Sequence, residues 1–339
     1  MNQNSVSPSY VAAELRARDQ WAGHDFSEAA ASAGSAAEIA LIDGDVESWW
    51  KMTFFRAESL LAAGQFETCA EVAEGLIREP LPAALQLQAR VRILLSKAWQ
   101  GEGLLERAAD EAGAAVELMT DEADIEINVT ARLALIAALG ESGRLDEAWA
   151  ESQHLAQLMS GEVDDQLLGK AYWAIGNAAF LSNRVDAGLE YHELAAATFS
   201  PARNLDVWAK FNNASAAMRL AADVADAATL RCIERAELAT DVIGGSEENI
   251  LLLKLNRAHW NYQAGDPAGA VELLRGLCGS DDILPPQTMG ESCLLLGRAY
   301  QALGDVPAAN RHLLEAAEHF DRAGAQQRAD LARAFLAEA

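Results

Sequence analysis

The chain carries one group of side chains whose types and spacing could hold a metal ion. His312, Glu315 and His319 lie three and four residues apart, so on a helix they would share one face. Histidine and glutamate are common zinc ligands. The same spacing arises often by chance in helices rich in Ala and Glu, and the sequence has no HExxH motif. We therefore expect no metal site in this chain.

Other patterns that support catalysis or cofactor binding are missing from the sequence. It contains no GxxxxGK[ST] phosphate-binding loop, no GxSxG nucleophile motif and no GxGxxG after a strand pattern. Four cysteines occur without CxxC spacing, and we interpret them as reduced thiols of a cytoplasmic protein: Cys69, Cys232, Cys278 and Cys293. We predict that the protein is not an enzyme and needs no cofactor.

A second set of side chains is suited to binding. Asn offers both a donor and an acceptor to an extended peptide backbone. Lys and Arg form charge-assisted hydrogen bonds with carboxylates, worth about 1.5–3 kcal/mol each. Such residues recur inside Ala-rich segments of helical length, for example Lys97, Lys170, Asn177 and Asn213. Their use depends on the elements that position them.

Those elements follow from a turn that recurs about every 40 residues. Each turn separates two apolar segments of helical length, and a fixed period of this size indicates a solenoid of stacked helical hairpins. The turn residues, where Gly would supply a conformation that other residues adopt at a cost, are Gly23, Gly64, Gly103, Gly143, Asn183, Asp223, Gly265 and Gly304.

The period predicts an all-α fold in which residues 1–339 form one domain. Helix breakers such as Pro80, Pro82 and Pro201 fall between the predicted hairpins. The turn region at 221–226 looks several residues longer than the others. A C-terminal capping helix covers 325–339, and the eight hairpins cover approximately 8–42, 47–79, 83–119, 124–159, 165–199, 205–243, 247–278 and 286–322.

Small residues at fixed offsets from the turn resemble the tetratricopeptide repeat. The hairpin at 286–322 reads Leu-Gly-Arg-Ala-Tyr at 296–300, Gly-Asp at 304–305, and Ala at 309 and 316. Residues at these offsets lie where two antiparallel helices touch, so a larger side chain would separate the helices. HEAT repeats have a similar period, but the Gly-Asp turn and the Ala offsets favour the tetratricopeptide interpretation. Repeats near 40 residues are also similar to those in sensor halves of bacterial transcription regulators.

The resemblance implies a right-handed superhelical solenoid in which first helices line a concave groove and second helices face outward. Charge follows the same division, although the chain has 51 acidic and 26 basic residues and a net charge of -25. Including the acidic residues that flank them still leaves the first-helix stretches net basic. The stretches without any Asp or Glu are 49–57, 84–101, 127–140, 166–181, 207–222, 249–264 and 292–303.

Helix phase selects the candidate groove residues. With the turn residue counted as position fifteen, the resemblance places positions two, five, nine and twelve or thirteen in the groove. In peptide-binding members, Asn and Lys at such positions hold backbone amides and carboxylates. The alternative is that the cations pair with acidic second helices and bind nothing. The predicted ligand contacts are Arg90, Lys97, Lys170, Trp173, Asn177, Asn213, Asn256, Arg257, His259 and Arg298.

These patterns predict a scaffold or receptor that binds a protein or peptide segment, extended or carboxylate-bearing, in a basic groove. The alternative is a peptide-sensing regulatory subunit of a bacterial transcription regulator. Its DNA-binding part would lie on another chain, because residues 1–45 already read as a hairpin. The sequence leaves self-association through the solenoid ends open.

Other partners and locations are disfavoured by charge and hydropathy. The net charge of -25 argues against direct binding of nucleic acid or of anionic membranes. No run approaches the ~20 apolar residues of a membrane span. The segment 1–8 has neither a cationic nor an apolar region typical of a secretion signal, so we expect a cytoplasmic protein.

Overall fold

The structure is a computed structural model that describes residues 7–79, 85–119, 124–159, 164–277 and 283–337. Over these ranges it is all-helical and contains no β-strand. Seventeen helices follow one another, and the predicted helical solenoid is confirmed. They are α1 (Pro8–Ala22), α2 (Phe26–Ile42), α3 (Val46–Ala62), α4 (Phe66–Arg78), α5 (Leu85–Gly101), α6 (Leu105–Glu117), α7 (Ile125–Glu141), α8 (Leu145–Leu158), α9 (Asp165–Leu181), α10 (Val185–Thr198), α11 (Leu205–Ala221), α12 (Ala227–Ile243), α13 (Glu247–Gln263), α14 (Pro267–Leu274), α15 (Pro286–Ala302), α16 (Val306–Arg322) and α17 (Gln326–Ala337).

Each predicted hairpin range contains one pair of consecutive helices, and α17 occupies the place of the capping helix. Pro80, Pro82, Cys278 and the last two residues of the predicted capping helix lie outside the described residues. Every helix in the described ranges is too short or too polar to span a lipid bilayer.

The helices form two compact units, Met1–Arg184 and Val185–Ala339. In the first unit, the first helices α3, α5, α7 and α9 pack against one another in chain order, and each of α4, α6 and α8 packs against the first helix before it and the one after it. The second unit repeats this arrangement, with α11, α13 and α15 in sequence and α16 packed against both α15 and α17. The single domain remains a prediction from the period.

The turn inside each hairpin contains one residue with left-handed backbone. At Gly103, φ is 73°, and the following N–H of Leu104 donates to the carbonyl of Trp99 at 2.8 Å, which closes the end of α5. Asn183 and Asp223 adopt the same conformation with φ of 58°. Both side chains tolerate this region better than most.

The first turn differs from the prediction. Gly23 has φ of -79°, and the left-handed residue is His24, with φ of 64°. The reason is position: α1 ends at Ala22, and the second connecting residue adopts the left-handed conformation in this turn as in the others. The longer connection after α11 ends at Asp226, which is the N-cap residue of α12. Its carboxylate accepts a hydrogen bond from the N–H of Thr229 at 2.8 Å.

Close helix contacts explain the small residues at fixed offsets. A side chain at Gly297 would place its Cβ 2.7 Å from Leu313 Cγ and 3.2 Å from the carbonyl oxygen of Ala309. Ala309 and Ala316 are fully buried on the facing helix α16. Together they let α15 and α16 approach closely around Leu313 and Phe320, which are also fully buried.

The described cysteines are all buried: Cys69, Cys232 and Cys293. Burial raises the pKa of the Cys69 thiol to about 12, so it stays protonated at neutral pH. These thiols therefore serve the core.

Candidate functional site

Four arginines on first helices are held by glutamates of second helices. Arg92 on α5 donates to Glu111 on α6 at 2.6 Å. The other three pairs are Arg132 with Glu151, Arg219 with Glu193, and Arg257 with Glu237. These four arginines follow the alternative given by the sequence, in which the cations of first helices pair with acidic residues of second helices.

Arg257 was predicted to contact a ligand in the groove, and in the structure it pairs with Glu237 on α12. Its Nε and Nη2 donate to Glu237 on α12 at 3.0 Å and 2.5 Å. These bonds to Glu237 raise the pKa of Arg257. Its guanidinium is therefore already held by a carboxylate on a second helix.

The first-helix face of the first unit contains a cavity of about 400 Å³, which we call the first-unit cavity. Its walls come from α3, α5 and the N-terminal end of α7, and six of the ten lining residues occupy positions that helix phase assigns to the groove. They combine apolar side chains with charged ones. The lining residues are Phe54, Glu58, Arg90, Ile93, Leu94, Lys97, Asp124, Glu126, Ile127 and Thr130.

Two of the predicted residues, Arg90 and Lys97, line this cavity from α5. The guanidinium of Arg90 lies over the Phe54 ring, 4.9 Å from its centroid, and 3.9 Å from a Glu58 oxygen. These two contacts hold the exposed head of Arg90 beside Phe54 and Glu58 in the cavity wall.

Lys97 stands out electrostatically. Its side chain retains exposed area, yet the surrounding protein removes enough water to lower the pKa of its ammonium. Repulsion from Lys170 on α9 lowers this pKa further, and attraction to Glu58 acts in the opposite direction. Desolvation in turn raises the pKa of Glu58, although Arg90 and Lys97 oppose that rise. No carboxylate among the described residues forms an ion pair with Lys97 or Lys170.

The predicted residues on α9 follow one another along one helix face. Lys170 is exposed, and Trp173 and Asn177 are half-buried three and seven residues further on. Lys170 is near enough to affect Lys97. The structure thus brings the cations of α5 and α9 together and places Trp173 and Asn177 along the same face as Lys170.

The second unit contains its own cavity of about 490 Å³, which we call the second-unit cavity. Helices α11, α13, α15 and α17 contribute to it. Three predicted residues line it: Asn256, His259 and Arg298. Asn213 adjoins it, because the side-chain Nδ2 of Asn256 donates to Asn213 Oδ1 at 2.6 Å and to its backbone oxygen at 3.1 Å. The complete lining is Ala217, Leu220, Ala221, Asp223, Leu255, Asn256, His259, Glu291, Leu294, Leu295, Arg298 and Arg328.

Sequence reasoning missed the acidic lining residues and most of the apolar ones. When the turn residue is counted as position fifteen, Glu58 on α3 is at position nine and Glu291 on α15 is at position two. The same phase count could therefore have found both residues. The search for cations and amides passed over them. Arg328 was missed because α17 has no following turn from which to count.

The histidine group at 312–319 is arranged unlike a metal site. The Nδ1 of His312 lies 2.7 Å from Glu315, and its Nε2 lies 3.1 Å from Arg311. The Nδ1 of His319 lies 2.6 Å from the guanidinium of Arg322. A cation beside each imidazole opposes binding of a second cation. In the described part of the chain, no three His, Cys, Asp or Glu side chains are placed to hold a metal ion.

Comparison with known proteins supports the fold. No protein-family model and no curated protein sequence matches the chain. Among solved structures, apo RapI superposes with a TM-score of 0.60 at 10% identity, covering 87% of this chain and 98% of RapI. A Rap protein complexed with competence and sporulation factor gives 0.56 at 11%, covering 98% of both chains.

A third similar structure is Cut9 from the APC/C hetero-tetramer Cut9-Hcn1, with a TM-score of 0.59 at 14% identity. The match covers 90% of this chain and 52% of Cut9, so this chain spans about half the length of Cut9. These neighbours are tetratricopeptide-repeat proteins. The chain therefore has a tetratricopeptide-like fold of helical hairpins.

Proposed function

We propose that this protein is a non-catalytic, cytoplasmic binding scaffold. Its first-helix face in the first unit takes an extended protein or peptide segment that carries a carboxylate. The observation that supports this most directly is the pair of cations Lys97 and Lys170 beside an apolar cavity. Neither forms an ion pair with a carboxylate of the described residues, although the chain has a net charge of -25.

Electrostatics favours an anion between these two side chains. Loss of water disfavours the charged form of the Lys97 ammonium and lowers its pKa, and repulsion from Lys170 lowers it further. A carboxylate that contacts both would remove that repulsion and form charge-assisted hydrogen bonds. Arg92 on α5 and Arg132 on α7 would contribute less, because they are already bound by Glu111 and Glu151.

The apolar wall suggests what lies next to the carboxylate. Phe54, Ile93 and Ile127 line the first-unit cavity beside Lys97, so an apolar side chain of the ligand would fit there. Trp173 and Asn177 continue the face along α9, where an amide suits contact with an extended backbone. The ligand would then lie across α5, α7 and α9.

Similar folds support a binding role. The Rap structure holds competence and sporulation factor, and Cut9 was solved together with Hcn1. The acidic composition would repel nucleic acid and keep other anions from binding elsewhere on the surface. A role as the peptide-sensing subunit of a transcription regulator remains an alternative that would use the same face.

The experiment starts from a random 12-residue peptide library with free C termini, selected on the full chain. The affinity of a selected peptide is then measured for the wild type, Lys97→Gln and Lys170→Gln by fluorescence polarisation. Losing one charge-assisted bond should weaken binding about 10-fold or more. Lys254→Gln is the matched control, because Lys254 is an exposed first-helix lysine outside both cavities.

Circular dichroism and urea unfolding accompany each affinity. Binding that weakens in the two variants but not in the control, at unchanged stability, supports the proposal. Equal affinities for all four proteins would refute it. An equal loss in Lys254→Gln would show that only the net charge matters.

A further inference from the structure

We propose that the second-unit cavity is a separate site for a small monocarboxylic acid with an apolar body. It concerns the second unit alone and does not depend on the peptide face of the first unit. Its volume of about 490 Å³ falls within the range of about 300–1,000 Å³ that is usual for small-molecule sites.

The body of the ligand is indicated by the cavity walls. Leu220, Leu294 and Leu295 are buried side chains that line it from α11 and α15. Leu255 and the small Ala217 complete the apolar wall. An aliphatic or aromatic group placed here would remove apolar surface from water on both sides, at roughly 25 cal/mol per Å².

The charge of the ligand is indicated by Arg298. Its guanidinium lies 5.3 Å from the Tyr262 ring centroid and 5.0 Å from that of Phe335. The two rings hold the head group in place while it stays exposed. None of the described carboxylates lies within ion-pair distance of Arg298, so its donors are available for a planar anion such as a carboxylate.

His259 supplies a neutral donor on the neighbouring helix. Its Nε2 lies 3.2 Å from the Gln263 amide nitrogen. That nitrogen donates its two hydrogens to the Leu220 carbonyl at 2.9 Å and to Asp223 at 3.0 Å. A neutral imidazole carries a single ring proton, so His259 brings at most one hydrogen-bond donor and no charge to the cavity. Burial, with help from Arg298 and Arg328 and against the pull of Asp223, lowers the pKa of His259 to about 4.

Two acidic residues limit the charge that the cavity accepts. Glu291 is neutralised by Arg328, whose Nε donates to it at 2.8 Å. Asp223 receives a hydrogen bond from Gln263 but has no cation partner within ion-pair distance among the described residues. Arg298 is therefore the one cation of the described lining without a carboxylate partner, and Asp223 would repel a second negative charge. A monoanion fits this balance, and a phosphate dianion does not.

The test uses the full chain at pH 7 and two probes, octanoate and 4-phenylbutyrate, with binding measured by isothermal titration calorimetry. We expect at least one probe to bind with one-site stoichiometry. Octylamine, a cation of similar body, should not bind. Failure of both carboxylates to bind would overturn the proposal, as would equal binding of octylamine.

Two variants separate charge from shape. Arg298→Gln should weaken carboxylate binding about 10-fold or more, because it removes the one cation of the described lining that has no carboxylate partner. Ala217→Phe keeps every charge and fills the apolar wall from an exposed position, so it should also weaken binding. Arg231→Gln on the exposed side of α12 is the matched control and should bind like the wild type. Unchanged affinity in both cavity variants would overturn the proposal.

A peptide arm distinguishes the source of the carboxylate. Acetyl-Leu-Leu with a free C terminus presents the same charge and an apolar body on a peptide backbone. Binding of octanoate or 4-phenylbutyrate at least as tight as this dipeptide supports a small-molecule site. Binding of the dipeptide alone would overturn it in favour of a peptide C terminus. Urea unfolding of every variant confirms that the fold is kept.

Discussion

The side chain of Asn256 on α13 donates to Asn213 on α11, with Nδ2 2.6 Å from Oδ1 and 3.1 Å from the backbone oxygen. Sequence reasoning assigned both amides to a ligand backbone, since Asn has no helical advantage. The structure uses them to join two first helices of the second unit. Asn256 is 7% exposed, so an unpaired amide at this position would be costly.

If the hydrogen bond between Asn256 and Asn213 joins α13 to α11, its loss should lower the stability of the protein. A role in ligand binding alone would leave that stability unchanged. Asn213→Ala should lower the free energy of unfolding by about 1–2 kcal/mol, because the buried amide of Asn256 loses its closer acceptor. Urea denaturation followed by circular dichroism measures the change. Asn249→Ala, a half-buried residue two turns earlier on α13, should change stability by less than about 0.5 kcal/mol. Equal effects of the two substitutions would contradict this role.

The coupling between Lys97 and its neighbours predicts opposite pKa changes. Lys170→Gln should raise the pKa of Lys97, because a repelling cation is removed. Glu58→Gln should lower it, because an attracting carboxylate is lost. Nuclear magnetic resonance of the lysine side-chain Nζ follows both titrations. If neither substitution moves the titration of Lys97, the two lysines are not electrostatic neighbours.

His259 predicts a pH dependence of stability. Its pKa is about 4 in the folded chain against 6.5 ordinarily, so between these values the unfolded chain binds a proton that the folded chain does not. Stability is then complete above pH 6.5 and falls as the pH is lowered to 4, by at most about 3 kcal/mol.

His259→Asn provides the comparison that isolates this residue. The variant lacks the titrating group, so the stability advantage of the wild type over the variant should shrink as the pH falls through this window. Urea unfolding of both proteins at pH 7, 5.5 and 4.5 measures the difference. A difference that is independent of pH would show that His259 titrates alike in both states.

Replacement of Gly by Ala should change stability in opposite directions in a left-handed turn and inside a helix. Gly143 has φ of 76°, so Gly143→Ala should destabilise the chain by about 1–2 kcal/mol. Gly113 lies within α6, and a Cβ there would meet no atom within 4 Å. Gly113→Ala should therefore stabilise by about 0.5–1 kcal/mol. Thermal unfolding of both variants tests the pair, and shifts of the same sign would contradict it.

Much of the fold could be predicted because the turn chemistry repeats. Gly64, Gly103, Gly143, Gly265 and Gly304 are all left-handed where the period expects them. The first turn was misplaced by one residue because Gly23 is the glycine but His24 holds the left-handed position. Composition indicates that a turn is present, while the helix end decides which residue takes the strained conformation.

The candidate sites were harder to predict, for a physical reason. Helix phase assigned Lys97, His259 and Arg298 to a groove, and in the structure each of them lines the cavity of its unit. It could not show that Arg257 is held by Glu237, because the partner lies 20 residues earlier on another helix. Charge patterns identify a basic helix but not which of its cations are already neutralised across the hairpin.

The measurement that tests the central claim most directly is a double-mutant cycle between Lys97 and the carboxylate of a library-selected peptide. The four affinities pair wild type or Lys97→Gln with the peptide as an acid or as the corresponding amide. If Lys97 contacts the carboxylate, we expect a coupling free energy of at least about 1 kcal/mol at unchanged protein stability. Additive effects, within about 0.3–0.5 kcal/mol, would contradict a carboxylate-binding face at Lys97.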